Sequence, residues 1–274
     1  MTAALRLAAL AALVLVAACG RPESPTLDIA TTTSVQNSGL LAHLLPVFEK
    51  ASRVTVRVHA AGSGRALQML ADGVVDAVIS HAPETEQRLL PQHPDWRYRK
   101  IAHNWFVVAG RASDPAKVAD AADAVTAFQR IADSGARFVS RGDESGTHER
   151  ERLLWAAAGR QPGPAALIVS GRGMAQALRH ASEARAYVLT DASTFWQLAS
   201  GLELAILFEN DRRLINTYAV IHPASDPKAA AFATWLSSVD GATAIGAFTI
   251  GGKGAFDPWP AGCAAEQPAD LPCR

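Results

Sequence analysis

Hydrophobic and polar positions along this chain repeat with two different periods. Stretches in which every second residue is apolar, or in which a short apolar run is bounded by turn residues, predict strands. They fall over 27–31, 54–58, 75–80, 97–110, 138–140, 167–170, 186–190, 204–208 and 218–222. Between them apolar residues recur every three or four positions. That spacing predicts helices over 38–51, 64–72, 117–134, 145–158, 173–182, 228–236 and 239–248. In the first of these, Leu40, Leu41, Leu44, Leu45 and Phe48 share a face, and Pro46 marks a kink. Gly135 and Gly159 close two others. In 145–158 the charge run Glu149 to Arg152 reads as a solvated face, with Leu153, Leu154 and Trp155 turned inward. Regular alternation of strand and helix, with no internal repeat, implies an α/β protein built on parallel sheet.

Composition narrows the class. The chain has 274 residues, 49% of them apolar, and its 26 basic side chains balance 26 acidic ones. That length suits one large domain or two linked lobes. Zero net charge, without any basic arm, excludes a broad nucleic-acid footprint. The apolar share excludes a disordered chain.

The first residues and the cysteines speak to compartment. Arg6 precedes an apolar run over 7–18, which is shorter than the about 20 residues a membrane-spanning helix requires. Residues 1–18 therefore read as a secretory signal. The run ends Leu15-Val16-Ala17-Ala18-Cys19-Gly20, which resembles a bacterial lipobox, where the cysteine is lipidated and becomes the mature N-terminus. An ordinary signal in which Cys19 has no special role is the alternative. Residues 19–26, with Pro22 and Pro25, then form a short tether at a membrane surface. Cys263 and Cys273 could pair outside the cytosol, stapling a Pro-rich terminus by roughly 2–3 kcal/mol. Two cysteines without neighbouring histidines make a poor metal site.

Three polar clusters each fall between a strand and a helix. They are Thr31-Thr32-Thr33-Ser34, Gly62-Ser63-Gly64, and the segment Ser140-Arg141-Gly142-Asp143-Glu144-Ser145-Gly146-Thr147-His148. A helix that follows a strand presents unpaired N–H groups and a partial positive charge, a natural anion site. Short hydroxyls add donors, and glycine lets backbone approach closely. In open α/β sheets ligands bind outside these strand ends. For a single cluster, capping and turn chemistry is explanation enough. Three clusters together, one carrying Arg141, point to an oxyanion.

Other chemistry fails on spacing. No G-x-S-x-G elbow surrounds Ser63 or Ser145, and no dinucleotide fingerprint or phosphate-binding P-loop occurs. His148-Glu149 lacks the second histidine of a zinc protease, and the eight histidines show no ligand spacing. A hydrolase using Asp143, Ser145 and His148 is the rival from another class. Those residues lie too close along one turn to assume the geometry a triad requires.

These clusters, with Ser38-Gly39-Leu40-Leu41, Asp76-Ala77-Val78-Ile79-Ser80-His81-Ala82-Pro83-Glu84, Gly171-Arg172-Gly173-Met174 and Ala186-Tyr187-Val188-Leu189-Thr190-Asp191, resemble the TupA-type tungstate-binding proteins of bacterial ABC importers. The resemblance runs from Ala30 to about Phe248. It implies a class II periplasmic binding protein: an α/β fold of two lobes on two hinge strands, with the ligand cleft between them. The crossings are expected near 105–110 and 216–221. Lobe 1 is then 27–107 with 218–274, and lobe 2 is 108–217. Ligand contacts carried over from the family fall on Thr33, Ser34, Ser63, Arg141, Ser145, Gly146 and Thr147, with Gly173 and Met174 opening a further helix. Arg172 stands where the family pattern suggests a neutral polar residue, and Ser63 where threonine is common. The implied protein is a monomeric, extracytoplasmic, lipid-anchored carrier that needs no cofactor, does no catalysis and delivers its oxyanion to an ABC permease.

Asp143 bears on which oxyanion. Hydrogen phosphate can donate a proton to a carboxylate, whereas tungstate and molybdate at neutral pH cannot. A carboxylate facing the ligand favours phosphate; one turned away to Arg141 or a backbone amide favours tungstate.

Overall fold

The computed structural model describes residues 24–268. The signal segment, Cys19 and Cys273 lie outside the described residues; Cys263 is disulfide-bonded. The chain runs β1 (Thr26–Thr32), α1 (Thr33–Ser38), α2 (Leu40–Ser52), β2 (Thr55–Ala61), α3 (Ser63–Ala71), β3 (Ala77–Ser80), α4 (Pro83–Leu89) and β4 (Trp96–Gly110). It continues α5 (Ala124–Asp133), β5 (Phe138–Ser140), α6 (Gly146–Ala158), β6 (Leu167–Val169), α7 (Met174–Ala184), β7 (Tyr187–Asp191), α8 (Ala192–Leu198) and β8 (Ala205–Phe208). The last elements are β9 (Ile215–Pro223), α9 (Pro227–Leu236), α10 (Val239–Ala247) and three two-residue strands, β10 to β12, over 249–258. Thr26, expected in the tether, is the first residue of β1.

The strands divide into two groups that share β4. In the first, β2, β1 and β3 are parallel, and β9 and β4 complete the sheet antiparallel to their neighbours. In the second, β7, β5 and β6 are parallel, and β4 joins them antiparallel through β7, with β8 also on β4. β4 pairs with β9 as far as Trp105↔Ile215, then with β7 from Phe106↔Asp191 onward. One long strand therefore belongs to both groups, and β9 starts level with the place where it changes partner.

Each group is covered on both faces. Leu27, Ile29 and Ile79 pack under Leu44, Phe48, Phe232 and Ile245, while Ala30, Val78 and Ile221 turn the other way onto Leu67 and Leu70. In the second group Phe106, Val108 and Phe138 meet Phe128, Leu154 and Trp155, while Val139 and Val188 meet Leu178 and Phe195. Two helix–sheet–helix sandwiches result, each burying its own apolar core.

Three expected elements are corrected. The helix expected over 38–51 begins two residues later, as α2 at Leu40, and a separate short helix, α1, precedes it. Gly39 takes φ +84, a left-handed conformation natural to glycine; its N–H closes α1 on the Gln36 carbonyl, and Ser38 Oγ accepts from Leu40 N–H to start α2. The helix expected from 117 begins only at Ala124, where Asp123 caps it by accepting from Thr126 N–H at 2.7 Å. The charge run on α6 is not a solvated face. Glu149 and Glu151 are buried, and it is Leu153 that is 43% exposed.

Glu86, in the second turn of α4, is also buried, and its Oε1 accepts from Ala82 N–H at 2.9 Å. Burial pushes this carboxyl up to about 7, against the hydrogen bonds from Ser80, Ala82 and Tyr98 that favour its charged form. Because the folded value lies above the ordinary 4.5, the native chain holds the extra proton between the two values. Its contribution to stability is therefore lost as pH rises through that window. Glu86→Gln should gain on the native chain by up to a few kcal/mol between about pH 5 and about pH 8, read by urea unfolding; a difference that does not change with pH would remove Glu86 from the titration.

Candidate functional site

The parallel strands of both groups end at one seam, and the loops leaving them carry the sequence clusters. β1 runs into α1, whose first turn holds Thr33 and the buried Ser34; Thr32 Oγ1 caps it by accepting from Val35 N–H. β2 leads through Gly62 to Ser63 at the head of α3. β5 ends in the segment from Arg141 to Thr147, which opens α6. β6 leads to Gly173 and Met174 at the head of α7, and β7 to Asp191 at the head of α8.

Close approaches show that these loops face one another across the seam. A Cβ on Gly146 would lie 2.0 Å from the His81 carbonyl oxygen, so the start of α6 rests directly on the end of β3. A Cβ on Gly62 would lie 3.6 Å from the Asp143 carbonyl, and one on Gly173 would lie 3.3 Å from Thr33 Oγ1. α1 also packs against α7 and α8. The structure thus brings Thr33 to Gly173, and Ser63 beside the loop that carries Asp143 and Thr147. Ser34 is buried within the same helix start.

Arg141 is the largest fully buried side chain, 2% exposed. Its Nη2 donates to Asp143 Oδ2 at 2.6 Å and its Nε to the same oxygen at 3.2 Å. Its Nη1 lies 3.3 Å from Met174 Sδ. The other oxygen of Asp143, Oδ1, accepts from the Ser145 hydroxyl at 2.6 Å and from Ser145 N–H at 3.3 Å. Burial alone would raise the Asp143 carboxyl; the Arg141 charge and these hydrogen bonds outweigh it and hold it below the ordinary carboxylate value. The carboxylate is turned to Arg141 and a backbone amide, with both oxygens occupied. Under Arg141 its own N–H donates to Glu151 Oε2 at 3.1 Å, and burial pushes Glu151 up to about 7.

Near this pair, Ser63 Oγ and Thr147 Oγ1 are buried without a hydrogen-bond partner in the protein, as is Thr194 Oγ1 in α8. Buried hydroxyls are normally satisfied, so an orphan hydroxyl points to a partner outside the chain. Of the residues expected to bind, Ser145 has its hydroxyl engaged with Asp143, which leaves Gly146 and the first turn of α6 to offer N–H groups. Met174 is buried and meets Arg141 through sulfur, while Gly173, at φ +77, lets α7 start against Thr33. Arg172 is exposed and lines an open pocket with Thr33, Asn37 and Arg179. Ser145, Asp143 and His148 do not form a relay: the serine proton goes to the carboxylate, and His148 Nδ1 accepts from Glu144 N–H at 3.2 Å.

A second polar group lies where β4 changes sheets. Asn216 Nδ2 donates to Asn104 Oδ1 at 2.8 Å and to the Tyr218 hydroxyl at 2.6 Å, and its Oδ1 accepts from His81 Nδ1 at 2.9 Å. Asn104 Nδ2 reaches Ser193 Oγ at 3.3 Å, which donates to Asp191 Oδ1 at 2.5 Å. Burial pulls the His81 pKa down to about 4, against the pull of Asp191, so its ring is neutral near pH 7. The spacing of the histidines singled out none of them, and neither asparagine stood out from the sequence. The available signal was an asparagine inside each of two apolar strands, at 104 and 216.

A shared long strand, two parallel half-sheets and opposed helix starts around a buried guanidinium define a two-lobed solute-binding architecture. The family model described as the PBP superfamily domain matches residues 20–240. The chain belongs to this superfamily and, within it, to the TupA type. It is 35% identical over 229 residues to the tungstate-binding protein TupA of Peptoclostridium acidaminophilum, covering 80% of each chain. It is 36% identical over 251 residues to a putative ABC transporter anion-binding protein of Haloferax volcanii, covering 87% of this chain and 73% of that one. Among solved structures, the tungstate ABC transporter protein of Geobacter sulfurreducens superposes with a TM-score of 0.76 at 35% identity, covering 81% of this chain and 98% of the other. Among the described residues no helix is long and apolar enough to cross a membrane.

The hinge group generates a stability prediction. Asn216→Ala strands Asn104, the Tyr218 hydroxyl and His81 in the interior. It is expected to cost about 2–4 kcal/mol, measured by urea unfolding. A loss below about 1 kcal/mol would show that these groups find other partners.

Proposed function

We propose that this chain captures tungstate between its two lobes and hands it to an ABC permease. The observation that carries the reading is the Arg141–Asp143 pair. With both Asp143 oxygens taken by Arg141 and Ser145, that carboxylate is engaged within its own loop, and the Ser63 and Thr147 hydroxyls and the N-terminal amides of α6 are donors left at the same seam. Such a lining suits an anion that carries no proton to give. Tungstate and molybdate meet that condition at neutral pH, and hydrogen phosphate does not. The names of the TupA relatives favour tungstate between the first two.

On this reading Thr33, Ser34, Ser63, Arg141, Ser145, Gly146 and Thr147 surround the ion, and Gly173 and Met174 close the far wall. Charge-assisted hydrogen bonds of about 1.5–3 kcal/mol each, several at once, reach nanomolar affinity of about −12 kcal/mol after the loss of freedom on binding. Lobe 1 comprises 27–107 with 218–274 and lobe 2 comprises 108–217, a division supported by the partner change of β4 at Trp105 and Phe106. Residues 1–18 act as the export signal, and 19–25 tether the carrier through lipidated Cys19 at the periplasmic or outer face of a membrane. Cys273 is the assigned partner of the disulfide-bonded Cys263. The carrier works as a monomer and without a cofactor.

Calorimetric titration of the purified chain with tungstate, molybdate, phosphate and sulfate tests this. Saturable binding of the first two, with phosphate weaker by a hundredfold or so, is the expected pattern. Arg141→Ala should weaken tungstate binding by about tenfold or more. Preferred binding of phosphate, or an Arg141→Ala variant that binds as before, would overturn the assignment.

A further inference from the structure

The buried carboxylate of Glu149 takes no part in the shell described above, yet it reaches across the seam. Its Oε2 accepts from the Glu84 N–H at 3.2 Å, and its Oε1 accepts from the Thr85 hydroxyl. Glu149 is in the first turn of α6, which packs on the half-sheet of β5 and β7. Glu84 and Thr85 open α4, which follows β3 of the other half-sheet. The donors and the acceptor are thus 64 and 65 residues apart in sequence and belong to different lobes.

The placement is selective. The residue is 4% exposed, so the two donors are held away from competing water. Glu84 also meets Arg152 of α6 at 3.3 Å, but that pair is open to solvent and contributes little. One turn of α6 back, Gly146 rests on the His81 carbonyl, so the same helix touches the same loop at two successive points. The N-terminal amides of α6 face the proposed ion. A single helix therefore carries both an ion-binding end and a carboxylate that finds its donors only when that end has come up against β3 and α4.

We propose that Glu149 is the latch that holds the lobes closed over the bound oxyanion and so sets how slowly the ion leaves. This rests on capture between the lobes, but assigns the residence time to a residue that does not touch the ion. A latch formed only on closure should act on dissociation and leave association alone.

The test uses stopped-flow association and dissociation of tungstate on the full chain in detergent, for the wild type, Glu149→Gln, Thr85→Val, the double variant and Arg152→Ala. Glu149→Gln and Thr85→Val are each expected to speed dissociation by about tenfold, with association unchanged. The double variant should release the ion no faster than the faster of the two single variants, since both remove the Thr85–Glu149 hydrogen bond. Arg152→Ala should behave as wild type. Melting of the ion-free protein should be unaltered, while the upward shift that tungstate produces should shrink. Wild-type dissociation in Glu149→Gln and Thr85→Val, additive effects in the double variant, or destabilisation of the ion-free protein with no change in dissociation would each overturn the latch. If the wild type binds none of the four oxyanions, the capture reading fails and the latch fails with it; if it binds tungstate and the variants match it, only the latch fails.

Discussion

Everything at the seam depends on one strand changing partner. β4 is hydrogen-bonded to β9 up to Trp105 and to β7 from Phe106, so its backbone is a continuous member of two sheets. A strand can do this only if the sheets meet at a shared level, and that level fixes where all the parallel strands end. Beside the buried Phe106 and Ile215, this level holds a buried polar group: Asn104, Asn216, His81 and Ser193 join strand to strand and lobe to lobe. A hydrophobic plug of the same volume would pack as well, but it would have no preferred angle. Hydrogen bonds are directional, so this arrangement sets how the lobes meet as well as holding them.

Arg141 shows what that alignment permits. Moving a guanidinium out of water is costly, and one carboxylate only partly offsets it. Asp143 covers the Nε and Nη2 edge, while Nη1 has the soft sulfur of Met174 for company. The pair is therefore electrically neutral yet has donors to spare on one side. On the proposed reading a divalent oxyanion would complete it without first displacing Asp143, which is held below its ordinary value by Arg141 and Ser145. Ser145 holds the second oxygen of the carboxylate within the loop. The loop thus separates two tasks between its residues: Asp143 and Ser145 orient the guanidinium, and Thr147 keeps a buried hydroxyl without a partner in the chain.

Much of this was legible in the amino-acid order. Alternating apolar positions located the strands, because a half-buried strand must repeat every two residues wherever it sits. Ser63, Arg141 and Thr147 stood out because helix starts need hydroxyls and glycines for local reasons. What stayed hidden was set by distant partners. Glu149 and Glu151 lie in a run of charges that reads as a solvated face, and nothing nearby in sequence shows that Thr85 or the Arg141 amide awaits them. His81 is spaced from nothing, since its partner Asn216 is 135 residues away. The short helix before Gly39 was missed for the opposite reason: its Thr-Ser-Val-Gln-Asn-Ser sequence carries no apolar repeat, and the left-handed glycine that ends it is invisible to periodicity.

The same distinction explains why small residues sit where the lobes touch. Gly146 could be alanine as far as α6 is concerned, since alanine is the better helix former. A methyl group there would meet the His81 carbonyl at 2.0 Å, well inside contact distance, and would have to push the lobes apart. The constraint arises only when the seam is shut, so the residue is chosen by the assembled state and not by its own helix. Gly173 obeys the same logic against Thr33, with the added demand of φ +77. Glycine at both points lets backbone approach backbone and hydroxyl closely across the seam. Backbone amides cannot rotate away or change charge, so those at the start of α6 and α7 are donors that need little reorganisation to meet an anion.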